Sequence, residues 1–598
     1  MTAQLKFPYG ISDFRKLMLE DYFYVDRSAG IRLIEDTGPQ LLFLRPRRFG
    51  KSLLLSLLEN YYDVARAGEF TRLFGRLAIG QNPTPLHNQY LVLKWDFSVV
   101  AAEGQAGVVR QALHDHLNAR MTTFADAYQA WLPRPVVINP TNAIATFESL
   151  LNAVQQSGLR LYLLIDEYDN FANEVLMASH AADQERYAAL LHGQGAIKTL
   201  FKAIKSASAG QGLDRVFITG VSPVVLSDLT SGRNVAENVY LKPAFNDLCG
   251  FKEAEIAAAL SQVAAVCGYS AEKSSEALDM MRTFYNGYRF SPDASAAVYN
   301  PTLALYFLKE FQETCGFPRN LLDSNLAMDR SKIAYVTHLP GGAQLILDLL
   351  TDDAALTVRQ LVDRFGVEEM RTTAKDHSFM ASLLYYFGVL THGGLTPLQE
   401  IILRTPNLVT QRLYVERAAE MLLPALDDQV AAQEAVRLLL QTGDLEPLCT
   451  FVESRYLRVF SNRDDRWANE LTIKTAFLTL LFNDTLYVMD SETAVGRRHA
   501  DLTLIQRMDV RRPGLLDFVI EFKYVALPDA GVTAETARRL SAEQVRALPA
   551  VKAALAAAQA ALPAYRQELI ARYGAILDLR AYTIVALGFE RLAWTALG

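Results

Sequence analysis

Cysteine is scarce: Cys249, Cys267, Cys315 and Cys449 are the four in 598 residues. None stands in a CxxC pair or another ligand spacing, so the sequence suggests neither a zinc module nor a disulfide framework, and a reducing cytoplasm fits. No run of about 18 apolar residues could span a bilayer, so no membrane partner is expected. The alanine-rich stretch near 551–562 reads instead as a helix former. The opening MTAQLKFPYG lacks the basic-then-apolar order of a signal peptide. Positive charge is not in excess either. A net charge of -7 argues against a uniformly basic nucleic-acid coat and confines any such site to a local patch.

What is present is globular. Residues that are 51% hydrophobic and 21% charged can bury a core, and a chain this long exceeds a single core and predicts three or four domains. The informative stretch is Leu41 to Tyr61, LLFLRPRRFGKSLLLSLLENY. Leu41 to Leu44 read as a short buried strand, and helical periodicity begins at Ser52. Between them, Gly50, Lys51 and Ser52 match the end of a phosphate-binding P-loop. There backbone N–H groups cradle phosphates, the lysine reaches the β/γ oxygens and the hydroxyl holds Mg²⁺. Arg45 stands where the motif has its first glycine, so the loop departs from the usual backbone turn. With Arg47, Arg48 and Phe49 it completes the candidate nucleotide-binding set, its three arginines favouring a polyanion. An ordinary strand-to-helix turn with a basic surface is the competing explanation.

Further strands are expected at Tyr90 to Ser98, at Leu161 to Asp166 (LYLLID) and at Arg215 to Gly220 (RVFITG). The second is apolar throughout, as in a parallel sheet covered on both faces. It delivers Asp166 and Glu167 at its C-terminal edge. Asp166 would hold Mg²⁺, directly or through water, and Glu167 would orient and deprotonate the attacking water. Thr219 or Ser222, after the third, is placed for a γ-phosphate sensor. A strand order with this segment between the P-loop and acidic strands would bring all three sites to one edge. The aromatic run Tyr22 to Tyr24 could serve an adenine pocket, with core packing as its default role.

The segments PYGISDF, YVDRS, RPRRFGKS, LLIDEYD, FITGVSP, FNDLCGF, YNGYRF, VYNP and LLYYFG follow in this order. Together they resemble a bacterial and archaeal family of AAA-ATPase-like proteins whose C-terminal part is a PD-(D/E)XK nuclease-like domain. In that family the arginine-rich loop without the first glycine is usual. The resemblance implies an α/β architecture with an AAA-like P-loop parallel-sheet domain over 1–250, a helical lid and winged-helix-like region over 251–405, and an α/β restriction-endonuclease-like domain over 406–598. It implies ATP as cofactor. Arg289 or Arg233 could act as an arginine finger.

In the last region a helix opens at Asn469-Glu470, Leu486 to Met489 and HADLTLI (His499 to Ile505) read as strands, and LDFVIEFKY (Leu516 to Tyr524) as another. Alternation places Glu521 and Lys523 on one face. Asp501 and Glu521 are oxygen ligands suited to Mg²⁺ or Mn²⁺, which would polarise a scissile phosphate, while Lys523 would stabilise developing negative charge. A surface ion pair between Glu521 and Lys523 is the plainer explanation. Through the resemblance, Glu470 joins the metal shell, with Glu492 a further candidate, and Gln559 and Tyr565 would face the site although Pro563 should disturb their helix. Arg497, Arg498, His499, Arg507, Arg511 and Arg512 would form a basic rim for a phosphate backbone, or else decorate a solvated hairpin.

The sequence thus reads as an ATP-binding module joined to a metal-dependent nuclease domain acting on nucleic acid, DNA above RNA, under nucleotide control. A role in defence against foreign DNA would suit the pair. Modules of this type often act as rings, so a homo-oligomer is among the expected partners. A non-cleaving regulatory switch and a non-enzymatic scaffold are the alternatives.

Overall fold

The computed structural model describes residues 4–100, 106–170, 196–223, 236–318, 320–321, 330–350, 355–363, 376–423, 425–457, 470–490, 493–495, 498–574 and 576–597. The chain forms two compact units. The first comprises Met1–Gly316 with Leu356–Asn407, the second Phe317–Ala355 with Leu408–Gly598. The boundary expected at residue 250 therefore does not separate two bodies, because the region after it packs in the same unit as the P-loop sheet. The segment 317–355, read as part of the middle region, belongs to the C-terminal unit instead.

The first unit is built on a five-stranded sheet, β1 (Gln40–Leu44), β2 (Tyr90–Asp96), β3 (Arg160–Asp166), β4 (Leu213–Gly220) and β5 (Glu237–Asn238), in the order β2-β3-β4-β1-β5. Every pairing is parallel. Parallel strands joined by helical crossovers are covered on both faces. Accordingly β3 is buried from Leu161 to Asp166, and β1 from Leu41 to Leu44. One face packs Phe43, Phe217 and Tyr162 against Leu54, Leu58 and Tyr62 of the helix Lys51–Tyr62, and Tyr24 packs on the same cluster. The helix Ala143–Ser157, which leads into β3, starts where Asn142 accepts from the amides of Ile144 and Ala145 and stops at Gly158 (φ 73°).

In the same unit the helices Glu253–Cys267, Ala271–Tyr285 and Pro301–Thr314 pack on one another. The helix His377–Tyr386 leads into an antiparallel sheet of β6 (Leu356–Val358), β7 (Thr391–Leu395) and β8 (Ile401–Arg404), in the order β6-β8-β7. Cys267 and Cys315 are joined as a disulfide, with Cα atoms 5.5 Å apart. This corrects the reading of the cysteines. The pairing spans 48 residues and links the ends of two helices, a proximity that no local spacing announces.

The second unit holds β9 (Tyr487–Asp490), the hairpin β10 (Thr493–Val495) and β11 (Arg498–Ala500), then β12 (Leu502–Gln506), β13 (Asp517–Val525), β14 (Leu579–Leu587) and β15 (Arg591–Leu597). Its mixed sheet runs β15-β14-β13-β12-β9, with β13 and β14 parallel and the other pairs antiparallel. The helices Pro549–Gln559 and Leu562–Tyr573 belong to the crossover between the parallel pair. Among the described residues no helix is long and apolar enough to cross a membrane.

Candidate nucleotide and metal sites

The loop between β1 and the helix Lys51–Tyr62 turns through two residues with positive φ, Arg48 (67°) and Gly50 (90°). Arg45 is not among such residues. The first glycine of the usual motif has no conformational role here, and the arginine has one of its own. Arg45 is 1% exposed, and its guanidinium donates to the carbonyls of Leu44 (2.7 Å), Tyr240 (3.0 Å) and Phe245 (2.6 Å). It also lies over the rings of Phe43 and Phe290, at 4.4 and 4.0 Å. Burial pushes its pKa down to about 10, so it stays charged at neutral pH. Arg45 is therefore corrected from a phosphate contact to an anchor of the loop. Phe49 is buried, edge-on to Tyr288 and Phe290, and also lines the cavity beside the loop. Replacing Arg45 by glycine, which restores the usual motif, should cost about 3 kcal/mol of stability through orphaned carbonyls and a cavity. Urea unfolding of the full chain measures it.

Lys51 is buried, and its Nζ donates to the carbonyls of Arg45 and Pro46, both at 3.0 Å. Burial lowers its pKa, opposed by the charges of Asp166 and Glu167, which places the three groups in one electrostatic neighbourhood. Arg47 donates to Asn170 Oδ1 at 2.9 Å, and the Arg48 carbonyl accepts from Thr302 Oγ1 at 3.0 Å. Arg48, Gly50, Lys51, Ser52 and Glu167 line a cavity of about 280 Å³ together with Tyr9, Phe23 and Tyr24. No side chain caps the helix start at Gly50. A helix N-terminus, a lysine and a concave wall of aromatics together suit a nucleoside polyphosphate.

The structure brings Asp166 and Thr219 together directly. Thr219 Oγ1 donates to Asp166 Oδ1 at 2.6 Å, across the adjacent strands β3 and β4. Glu167 has a left-handed backbone (φ 48°), and burial raises its pKa, a direction that suits a proton acceptor. Ser222 is turned to Asp169, whose Oδ2 accepts from its hydroxyl at 2.9 Å. Arg289 has its main-chain N–H bonded to Thr391 Oγ1 and does not line the cavity. Arg233 lies outside the described residues. Asp169, Asn170 and Thr302 were missed by sequence reasoning. They stand in the segments LIDEYDN and YNPT, beside Asp166-Glu167 and Asn300-Pro301.

In the second unit, β13 presents Glu521 and Lys523 on one face as alternation requires. Lys523 Nζ lies 3.4 Å from Glu521 Oε1, 3.1 Å from Glu470 Oε1 and 3.8 Å from Asp501 Oδ2. Asp501 stands at the break between β11 and β12 rather than within one continuous strand, and accepts from the Phe522 amide at 2.7 Å. Burial, and then the charge of Asp501, push Glu521 up to about 7. Its Oε2 is buried with no hydrogen-bond partner. Burial works against the charge of Lys523, but Asp501, Glu470 and Glu521 raise its pKa overall.

The expected basic rim is thinner than its sequence. Arg507 is fully buried, donating to Asp484, Thr485 and Pro318 carbonyls and to Asp509. Arg511 is ion-paired with buried Asp517, and Arg512 is exposed. Glu492 and Arg497 lie outside the described residues, as do the side chains of Arg498 and His499. The helix ends at Gln559 before Pro563, and Tyr565 packs in an apolar cluster with Ile505, Val519 and Leu569. Among the described residues, no group of three or more His, Cys, Asp or Glu side chains is arranged to hold a metal ion.

Solved structures similar to this chain include a Walker-type ATPase of Pyrococcus abyssi (15% identity, TM-score 0.37, covering 66% of this chain and 96% of that one). Another is the ORC2 protein of Aeropyrum pernix in ADPNP and ADP complexes (13%, TM-score 0.31, 69% and 99%). A third is the ORC1 protein of the same organism in complex with DNA (13%, TM-score 0.24, 67% and 96%). A curated relative from Azotobacter chroococcum mcd 1, described as an uncharacterized protein in the vnfD 5′ region, is 28% identical over 334 residues. That match covers 54% of this chain and 56% of the relative, little more than half its length. Residues 8–230, which hold the loop, β1 to β4 and the acidic pair, match the family model described as predicted AAA-ATPase.

Proposed function

We propose that this protein binds and hydrolyses ATP at the Arg47–Ser52 loop, and that nucleotide state governs a metal-dependent PD-(D/E)XK-type nuclease centre that cuts DNA. The observation that carries the first half is the meeting of Lys51, Asp166, Glu167 and Thr219 at one edge of a parallel sheet, beside a cavity of about 280 Å³. The amides of the helix start and Lys51 would hold the phosphates. Ser52 and Asp166 would hold Mg²⁺, and Glu167 would take the proton of the attacking water.

For the second half, the donor chemistry fits a hard cation. Asp501 and Glu521 supply oxygens, and Glu521 Oε2 is a buried acceptor with no hydrogen-bond partner. A bound Mg²⁺ or Mn²⁺ would lower the pKa of water and polarise the phosphate. The chain's own part is to fix Asp501 by the Phe522 amide and to set Lys523 beside the developing negative charge. A second reading, a switch that binds DNA without cutting it, is favoured by the position of the Lys523 ammonium among the carboxylates that a metal would need. The test is incubation of the full chain with plasmid DNA and Mn²⁺, with and without ATP. Nucleotide-dependent cleavage supports the nuclease, binding without cleavage supports the switch, and absence of phosphate release overturns the ATPase.

A further inference from the structure

We infer that Asp169 is a positioning residue for ATP turnover, clasping the acidic turn after β3 to the end of β4; this deepens the ATPase reading above and rests on it. Asp169 is 1% exposed. Its Oδ1 accepts from the Val221 amide at 3.0 Å, and its Oδ2 from the Ser222 amide at 2.7 Å and the Ser222 hydroxyl at 2.9 Å. The turn is sewn to β4 at two more points, by the Tyr168 amide on the Thr219 carbonyl (3.1 Å) and the Tyr168 hydroxyl on the Ser222 carbonyl (2.8 Å). Gly220 is the residue over which this clasp closes. A Cβ there would come within 2.4 Å of Asp169 Oδ1 and 2.6 Å of the Tyr168 ring.

The consequence concerns Glu167. Its left-handed backbone is costly for a residue with a Cβ and persists only where neighbours over-determine it. The clasp does so from the C-terminal side, and the next residue, Asn170, carries the constraint to the loop by accepting from Arg47. Asp169 thus ties the turn that carries the carboxylate proposed to activate water to Val221 and Ser222, while its neighbours Tyr168 and Asn170 join the same turn to the Thr219 carbonyl and to Arg47 of the phosphate loop. Asp169 does not line the cavity.

The experiment compares Asp169→Asn, Gly220→Ala and Tyr168→Phe in the full chain, reading phosphate release, nucleotide affinity with a fluorescent ATP analogue, and melting temperature. Asp169→Asn and Gly220→Ala should lower kcat at least about tenfold with KM within about threefold of wild type, since small misplacements of a catalytic group act on the transition state. Tyr168→Phe, which loses one hydroxyl and keeps the ring, should lower kcat several-fold without a KM change, and stays informative if either other variant fails to fold. Unchanged kcat, or kcat and affinity falling together with the melting temperature, overturns the inference. A wild-type protein that releases no phosphate overturns the ATPase reading, and this inference with it.

Discussion

Lys51→Met should lower ATP turnover on the order of 100-fold while leaving the nucleotide-free protein folded. The lysine is buried against loop carbonyls, and burial already lowers its pKa, so its charge is a cost to the empty fold. An apolar side chain of similar length fills the space and removes that cost, while the two carbonyl hydrogen bonds are lost. The opposing effects should leave the melting temperature within a few degrees of wild type. Function responds differently. Asp166 and Glu167 lose the cation that offsets them, and the phosphates lose the donor that would meet them in the transition state. Removing one such preorganised donor typically costs on the order of 100-fold in rate. Phosphate release and binding of a fluorescent ATP analogue, read beside thermal melting, check it. Wild-type turnover in the variant would show that the loop does not handle the triphosphate.

The parts of this fold that repeat locally were legible in the sequence. Apolar runs marked β1, β3 and β4, and β4 lies between β1 and β3, the placement that would bring the three motifs to one edge. The alternation in EFK put Glu521 and Lys523 on one face. What escaped was long-range packing. Arg45 looked like a phosphate ligand because its neighbours are basic, and the carbonyls of Tyr240 and Phe245 that engage it lie some 200 residues away. Arg507 misled for the same reason, since a carbonyl at Pro318 is invisible from its own hairpin. Cys267 and Cys315 came together only through helix packing. Each of the two arginines was read as facing ligand, when backbone carbonyls from distant segments engage it.

Glu521→Gln should abolish metal-dependent DNA cleavage and at the same time stabilise the protein at alkaline pH. Burial and the Asp501 charge raise the Glu521 carboxyl from 4.5 to about 7. For an acid raised in this way the folded state holds its proton longer than the unfolded state. Below about pH 4.5 both are protonated and Glu521 has no effect on stability. As pH climbs from there towards 7 the unfolded chain ionises first, and stability falls. Above 7 the full cost is present, on the order of 2 kcal/mol once solvent screening is allowed for. Glutamine mimics the protonated form at every pH. The variant should therefore match wild type near pH 4.5 and exceed it near pH 8, as read by urea midpoints. Cleavage by the wild-type protein should depend on pH in the complementary sense, declining about tenfold per unit below pH 7 as the carboxyl takes up its proton and ceases to attract a cation. A gain in stability that is the same at both pH values would show that Glu521 is not the strained acid of this site. Cleavage that survives the substitution would remove Glu521 from the reaction.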